Sequence, residues 1–177
     1  MKSNWEFLKE NREYSNKVLK INHIEYLYKT INEKMVFTTL EMSNWVLIVP
    51  ILKSGEFVVV KQFRVGTVSD TLEFPGGSID IGEEPIHAAA RELEEETGLR
   101  SSKITKLSVM DPNPAFMTNK CNVFLAEDCE FTGTQKLDKF EDADPVVLTI
   151  DKLKTLINNG EFTQSLSIAA FGLYLNR

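Results

Sequence analysis

Residues 77–99 read GSIDIGEEPIHAAARELEEETGL, and this stretch decides how the centre of the 177-residue chain folds. Its second half predicts a short α-helix, because apolar residues recur in it at helical spacing. Glu92, Glu95 and Glu96 then stand at positions i, i+3 and i+4, which are neighbours on a helix surface. Three neighbouring carboxylates repel one another, so this cluster indicates a cation held against the helix.

The ends of this helix are marked by residue types that favour them. Pro85 suits a first helical turn, and Glu83 and Glu84 are expected to favour the positive end of the helix dipole. Gly98 suits a C-terminal stop, because glycine adopts left-handed backbone conformations without strain. The helix is therefore predicted to open around Pro85 and to close at Gly98.

A glycine-rich turn, Pro75-Gly76-Gly77, comes just before this helical stretch. Glycine lets the backbone approach an ion or a phosphate closely. Carboxylate oxygens at this density suit Mg²⁺, with Mn²⁺ able to replace it, and Mg²⁺ is usually shared with the phosphates of a substrate. The alternative is a solvated acidic helix face of the kind that many Glu-rich helices present. The turn and the carboxylates together favour a site for a metal and a phosphate-bearing ligand.

Composition limits the partners and the location of the protein. The chain is 42% hydrophobic and 26% charged, which is ordinary for a globular protein. Its formal net charge of −6 offers no basic field for nucleic acid or acidic membranes, and it repels a pyrophosphate unless a divalent metal intervenes. No apolar run reaches the length of about 18 residues that spans a membrane, and the N-terminus lacks a signal-peptide core. We therefore expect a cytoplasmic protein that acts on a small molecule.

The apolar patterns along the chain predict strands separated by helices. Runs with alternating or continuous apolar residues predict strands at 17–21, 24–28, 35–40, 45–51, 57–64, 72–74, 103–110, 122–126 and 145–148. Two further helices are predicted, one capped by Asp151 and running to Ile157, and one at 165–175. Strands with helices on both sides indicate an α/β/α sandwich, an α/β (α+β) fold with a mixed central sheet. The expected division is a β-rich, antiparallel N-terminal segment at 1–44 and a main domain at 45–177.

The spacing of residues 77–99 resembles the Nudix box, G-x5-E-x7-R-E-U-x-E-E-x-G-U, in which U is a bulky aliphatic residue. Every defined position of that motif is filled in this chain, by Gly77, Glu83, Arg91, Glu92, Leu93, Glu95, Glu96, Gly98 and Leu99. The resemblance implies the Nudix fold. It also implies hydrolysis of a nucleoside diphosphate that is linked to a further group X.

The same resemblance implies roles for particular residues. The carbonyl of Gly76 and the side chains of Glu92, Glu95 and Glu96 are implied as ligands of Mg²⁺. Arg91 is implied to hold the acidic loop and the glutamates in place, and it is counted with Glu95 among the catalytic residues.

Residues outside the box resemble those of one group within this family. Residues 61–64 (KQFR) and 72–80 (LEFPGGSID) are similar to the corresponding runs of ADP-ribose and ADP-sugar pyrophosphatases. Gln62 and Arg64 are therefore candidate substrate contacts, since a guanidinium matches phosphate oxygens bidentately. The alternative for Arg64 is an ion pair with a carboxylate of the fold such as Glu73.

Two loops beyond the box carry further candidates. These enzymes have a proline-bearing loop about fifteen residues past the box, and Pro114 occupies that place, although the wording Asn-Pro-Ala departs from the commoner Ser-Pro-Gly. Their catalytic base is a glutamate on a later loop. Glu141 is the first candidate in the acidic run 137–144, Asp138 is the second, and a box glutamate is a further one. The alternative for this run is a solvated acidic loop.

The resemblance implies Mg²⁺-dependent hydrolysis of ADP-ribose, or a related nucleoside diphosphate sugar, to a nucleoside monophosphate and a sugar phosphate. The alternatives are a GDP-mannose-type or nucleoside triphosphate pyrophosphatase, and a module that senses nucleotide sugars without cleaving them. Sensing modules typically lack box glutamates, and this chain keeps them all. The resemblance also implies a homodimer formed through the N-terminal strands. Trp5 and Trp45 are expected either to stack on a base or to pack within the protein.

Overall fold

The computed structural model describes residues 3–133, 135–137 and 139–177. Contacts between residues divide this part of the chain into two compact units. The first unit contains residues 3–44 together with Asp111–Lys120, and the second contains Trp45–Met110 and Cys121–Arg177. Within the described ranges, no helix combines the length and the apolar character needed to cross a membrane.

The first unit is built on an antiparallel sheet of three strands. These are β1 (Trp5–Ser15), β2 (Leu19–Tyr28) and β3 (Glu33–Met42), in that spatial order. β1 was not predicted as a separate strand. Two register shifts, one after Phe7 and one after Arg12, interrupt the alternation of side chains by which a strand is recognised in a sequence. The segment Asp111–Lys120 joins this unit by backbone hydrogen bonds to Leu40.

The second unit holds a seven-stranded sheet and three helices. In chain order the elements are β4 (Trp45–Leu52), β5 (Phe57–Arg64), β6 (Ser69–Glu73), α1 (Pro85–Thr97), β7 (Leu99–Arg100), β8 (Lys103–Met110), β9 (Cys121–Phe131), β10 (Ala143–Leu148), α2 (Ile150–Asn158) and α3 (Ser165–Leu175). The path through the sheet is β10-β5-β4-β9-β7, with β6 paired to β5 and β8 to β9. β4 and β9 run parallel and the other pairs are antiparallel, so the sheet is mixed, as predicted.

The helices cover the two faces of this sheet. Because side chains alternate along a strand, Val46 and Ile48 of β4 face one side while Leu47 and Val49 face the other. The first side packs with buried residues of α1, including Ala89 and Leu93, in a cluster completed by Val58, Ala88, Leu99, Phe124, Ala126 and Cys129. The second side packs with buried residues of α2 and α3, namely Leu153, Leu156, Ala170 and Phe171. The predicted α/β/α sandwich is therefore confirmed.

The helix ends follow the predicted signals in part. α1 begins at Pro85 and stops at Gly98, whose backbone is left-handed at φ 68° and whose N–H donates to the Glu94 carbonyl at 2.8 Å. The first turn of α1 contains no acidic residue, because Glu83 and Glu84 precede it. The expected cap of α2 was wrong: the side chain of Thr149 accepts from the Lys152 N–H at 3.2 Å, and Asp151 lies inside the first turn.

The turn that precedes α1 lies along β4. The amides of Val46 and Ile48 donate to the carbonyls of Gly77 and Pro75, both at 2.9 Å. This turn approaches β4 so closely that a Cβ on Gly76 would stand 2.2 Å from the Val46 carbonyl oxygen. A Cβ on Gly77 would meet a different obstacle, the carboxylate of Glu92 at 2.3 Å. Both positions therefore favour glycine. At Gly76 a larger residue would collide with the β4 backbone, and at Gly77 it would collide with the Glu92 side chain.

Alanine at these two positions should have unequal effects on stability. Gly76→Ala is expected to lower the free energy of unfolding by about 1–3 kcal/mol, or the melting temperature by roughly 3–10 °C, because the β4 backbone cannot move aside. Gly77→Ala should cost less than half of that, since the end of the Glu92 side chain can rotate away. Thermal unfolding of the two purified variants measures both effects, and equal or reversed losses would contradict this description of the turn.

Candidate active site

The guanidinium of Arg91, on α1, donates hydrogen bonds to several neighbouring residues. It donates twice to the Glu83 carboxylate, with both distances 3.0 Å, and to Glu92 at 2.7 Å and Glu95 at 3.0 Å. It also donates to the Ser78 carbonyl at 3.0 Å. Arg91 thus links the loop before the helix to two glutamates of the helix.

Two of the clustered glutamates are buried. Glu92 is 8% exposed and Glu96 is 5% exposed, and the Gly76 amide donates to a Glu96 oxygen at 2.8 Å. The pKa of Glu96 is raised to about 8, mainly by burial and also by the negative charges of Glu92 and Glu141, while the hydrogen bond from Gly76 acts to lower it. Burial also raises the pKa of Glu92, although Arg91 opposes this shift. Both shifts show that burial disfavours the charged carboxylates more than the neighbouring hydrogen-bond donors stabilise them.

The glycine turn faces these carboxylates with its backbone. Pro75 and Gly77 both offer their carbonyls to β4, so the alternation of an extended chain turns Gly76 to the opposite side. The amide of Gly76 points toward Glu96 accordingly. The carboxylate of Glu92 rests on Gly77, at the place that a Cβ would occupy. Backbone and carboxylate oxygens therefore share one small region.

These residues fit a hard divalent cation in chemistry, although they do not form a complete cage. Within the described ranges, no three Asp, Glu, His or Cys side chains converge into a ready-made metal site. Glu92 and Glu95 are hydrogen-bonded to Arg91. Mg²⁺ rarely needs a full set of protein ligands, because it keeps several waters and shares substrate phosphates. Buried carboxylates with raised pKa values match such a cation.

Arg64 and Glu73 form a separate ion pair between neighbouring strands. The guanidinium donates to both Glu73 oxygens, at 2.7 and 2.9 Å, and the Thr71 hydroxyl donates to the same carboxylate. The Glu73 side chain is only 4% exposed, whereas that of Arg64 is 44% exposed. The bonds to Glu73 raise the pKa of Arg64, and the charges of Glu96 and Glu141 add to this shift. The ion pair weighed as an alternative for Arg64 is thus present, beside the carboxylate cluster.

The remaining predicted residues divide between those near the cluster and those elsewhere. Glu141 is exposed, and its charge acts on Glu92, Glu96 and Arg64. Asp138 lies outside the described residues. Gln62 is half-buried on β5, opposite Thr71 and Ala143 in the sheet. Pro114 is an exposed residue of the first unit.

The two tryptophans take part in packing. Trp45 is half-buried and packs against the core cluster on the side of α2 and α3. Trp5 lies in the sheet of the first unit, where its ring contacts those of Tyr28, Phe37 and Tyr26.

Gln135, which lies half-buried beside the end of α1, was not among the predicted site residues. Its side-chain amide donates to the carbonyl of Glu96 at 2.5 Å and to that of Ala143 at 2.7 Å. A glutamine in a polar loop carries no signal of such a contact. The one available hint is general: the last carbonyls of a helix need donors from outside it, and a following polar segment can supply them.

Comparison with known proteins places this geometry in a family. The NUDIX domain matches residues 44–167. The ADP-ribose pyrophosphatase of Bacillus subtilis is 33% identical over 117 residues, which are 66% of this chain and 63% of that protein. The ADP compounds hydrolase NudE of Escherichia coli is 30% identical over 128 residues, which are 72% of this chain and 68% of that protein. The chain thus spans slightly less than two thirds of the Bacillus subtilis relative.

A solved structure agrees with the fold. The crystal structure of an ADP compounds hydrolase superposes with a TM-score of 0.85, covering 98% of this chain and 94% of that chain. The sequence identity of that pair is 23%, so this likeness bears on the fold alone. The family rests instead on the match of the NUDIX domain to residues 44–167 and on the relative that is 30% identical, so this chain is a member of the Nudix family.

Proposed function

We propose that the protein hydrolyses the pyrophosphate bond of a nucleoside diphosphate sugar, with ADP-ribose as the first candidate. The products would be AMP and ribose 5-phosphate. The observation that carries this proposal is the pair of buried glutamates, Glu92 and Glu96, held against the Gly76-Gly77 backbone with raised pKa values. Two relatives named for ADP-ribose and ADP compounds support the choice of nucleotide.

The cofactor in this proposal is Mg²⁺, with Mn²⁺ able to replace it. Glu92, Glu95, Glu96 and the Gly76 carbonyl would hold it, because they are hard oxygen donors collected at one turn. When bound, Mg²⁺ neutralises pyrophosphate oxygens and makes the attacking water more acidic. Negative charge on the protein then no longer repels the substrate.

The side chains of the protein mainly position the reactants. Arg91 restrains the acidic loop and the helix through its bonds to Glu83, Glu92 and Glu95. Glu141 would accept the proton of the attacking water, with Asp138 and Glu95 as the other candidates for this base. The water oxygen forms a bond to one phosphorus in line with the bridging oxygen, and the bridging P–O bond breaks with its electron pair leaving on the second phosphate.

A panel of nucleotides tests this function directly. ADP-ribose, ADP-glucose, GDP-mannose, UDP-glucose, NADH and nucleoside triphosphates are incubated side by side with Mg²⁺, and the products are identified. We expect Mg²⁺-dependent turnover, with ADP-ribose preferred and AMP released. Cleavage of triphosphates alone, or turnover that persists in EDTA, would contradict the proposal. Binding of a nucleotide sugar without cleavage would favour the sensing module instead.

Variants of two glutamates on α1 serve as the matched control of this panel. Glu96→Gln should lower kcat by about two orders of magnitude, the scale of losing one key charge-stabilising group. Glu94→Gln should keep kcat within about twofold of the original, because Glu94 faces Arg100 and Lys136 rather than the cluster.

Arg64 is proposed to donate to a substrate phosphate, using the exposed part of its guanidinium. Its bond to Glu73 leaves it fixed at the edge of the carboxylate cluster. Removing Arg64 alone would also leave the buried Glu73 carboxylate without its cation, which destabilises the fold. A test of phosphate binding therefore has to separate the two effects.

The pair Arg64→Ala and Arg64→Ala/Glu73→Gln separates them. The single variant is expected to lose about 1–3 kcal/mol of stability, and both variants should show a KM for ADP-ribose raised about tenfold or more. The double variant should regain most of the melting temperature because no buried charge remains. Glu73→Gln alone, which keeps the guanidinium, is the control and should leave KM nearly unchanged. If the double variant regains both its stability and the original KM for ADP-ribose, Arg64 does not contact the substrate.

We also propose a homodimer formed through the sheet of the first unit. Trp5, Phe7 and Phe37 of that sheet are exposed by 40%, 55% and 37%, and their rings surround Tyr26 on one face. Exposed aromatic clusters of this kind favour burial against a partner. A cytoplasmic location and the lack of a nucleic-acid partner stay predictions from the sequence.

Light scattering of the purified protein should give the mass of two chains. Phe7→Glu is expected to yield the mass of one chain, since a charge on the aromatic face opposes its burial. Val36→Glu is the matched control, because Val36 is exposed on β3 but points to the face opposite Phe37. A monomeric original protein, or equal behaviour of the two variants, would contradict this interface.

A further inference from the structure

The last turn of α1 is tied to the segment that follows β9. The Lys136 amide donates to the Glu95 carbonyl at 3.0 Å, and the Thr132 amide donates to the Gly98 carbonyl at 2.9 Å. These carbonyls belong to the end of a helix, where no donor within the helix can reach them. The segment therefore acts as an external cap on the turn that carries two of the clustered glutamates.

Gln135 differs from the other capping groups because it bonds to two elements at once. Its NH2 group donates at 2.5 Å to the carbonyl of Glu96, on α1, and at 2.7 Å to the carbonyl of Ala143, the first residue of β10. Ala143 is buried and is paired with Gln62 in the sheet. One side-chain amide thus connects the helix of the carboxylate cluster to the sheet.

This connection closes the base of the loop that carries Glu141. The loop leaves the helix end at Lys136 and returns to the sheet at Ala143, and Gln135 joins the two ends. Glu141 is two residues from Ala143, a reach of at most about 7 Å. The position of the Glu141 carboxylate relative to Glu92 and Glu96 therefore depends on where Ala143 is held relative to α1.

We infer that Gln135 is a positioning residue for the reaction, which sets Glu141 over the metal-binding glutamates by holding both ends of its loop. The inference rests on the proposed function, because it assigns Glu141 a part in turnover. Gln135 itself touches neither substrate nor metal in this assignment. Its effect should therefore appear in kcat and vanish when Glu141 is no longer able to act.

The test compares two side chains that cap the same helix end. Gln135→Met keeps the length of the side chain and removes both donors. Thr132→Val removes one side-chain hydrogen bond, 3.2 Å long, from the hydroxyl to the Gly98 carbonyl, and this bond does not reach β10. The assay uses the full chain with Mg²⁺ and ADP-ribose, and Mn²⁺ binding is followed separately by electron paramagnetic resonance.

We expect Gln135→Met to lower kcat by about 10- to 100-fold, the scale on which misplacing a catalytic group slows a reaction. KM and Mn²⁺ affinity should stay within about twofold, because the amides of Thr132 and Lys136 still cap the turn that carries Glu95 and Glu96, and Arg64 is unchanged. Thr132→Val should leave kcat within about twofold. In a Glu141→Gln background, Gln135→Met should cause no further loss, since the two residues act as one unit.

A second variant covers the case in which Gln135→Met does not fold. Gln135→Asn keeps the NH2 group but is one methylene too short to bridge both carbonyls, so it should reproduce the loss in kcat. An equal loss in Thr132→Val, an additive effect with Glu141→Gln, or unchanged kcat in the Gln135 variants would each overturn the inference.

Amide hydrogen exchange separates this inference from the proposed function. Residues 139–143 should exchange faster in Gln135→Met than in the original protein, while Thr132→Val should match the original. If no nucleotide of the panel is cleaved, the proposed function fails, and faster exchange still supports Gln135 as the tie between α1 and β10. Unchanged exchange in Gln135→Met would overturn that tie whatever the activity.

Discussion

The candidate site of the second unit is built around two carboxylates, Glu92 and Glu96, which are held away from water on the inward face of a helix. An ionised carboxylate loses most of its hydration there, so the neighbouring groups must compensate. The Gly76 amide and the Arg91 guanidinium do so in part, and the raised pKa values mark what they leave uncompensated. A divalent cation, as proposed for this site, would supply the missing positive charge, so the burial that disfavours ionisation in the free protein also suits the site to a metal.

Two arginines, Arg91 and Arg64, form ion pairs with glutamates in this region. Arg91 binds three glutamates of the box and connects the loop to the helix, so its role is to keep the cluster assembled. Arg64 binds one buried glutamate, Glu73, from a side chain that is itself nearly half exposed. The proposed contact with a substrate phosphate would use that exposed part of Arg64.

Signals that act over a few residues were readable from the sequence, and those that depend on distant contacts were not. The helix of the box, its stop at Gly98 and the layered sheet follow from spacing and alternation, and all three are present. The cap of α2 was misplaced because Thr149 and Asp151 are both good capping residues two positions apart. The grouping of Asp111–Lys120 with the first unit and the bridge made by Gln135 arise only when separate parts of the chain meet, so no local pattern announces them.

The alternation along β4 has a consequence for how the chain can change in length. Successive residues of this strand serve opposite cores, and two of its amides also hold the glycine turn in place. Inserting or deleting one residue would exchange the two cores and move the turn off its partners in a single step. The turn between β5 and β6 does not have this double role in packing, since Val65 and Val68 are exposed there. Evolutionary gain and loss of residues is therefore expected to concentrate at that turn and to spare β4.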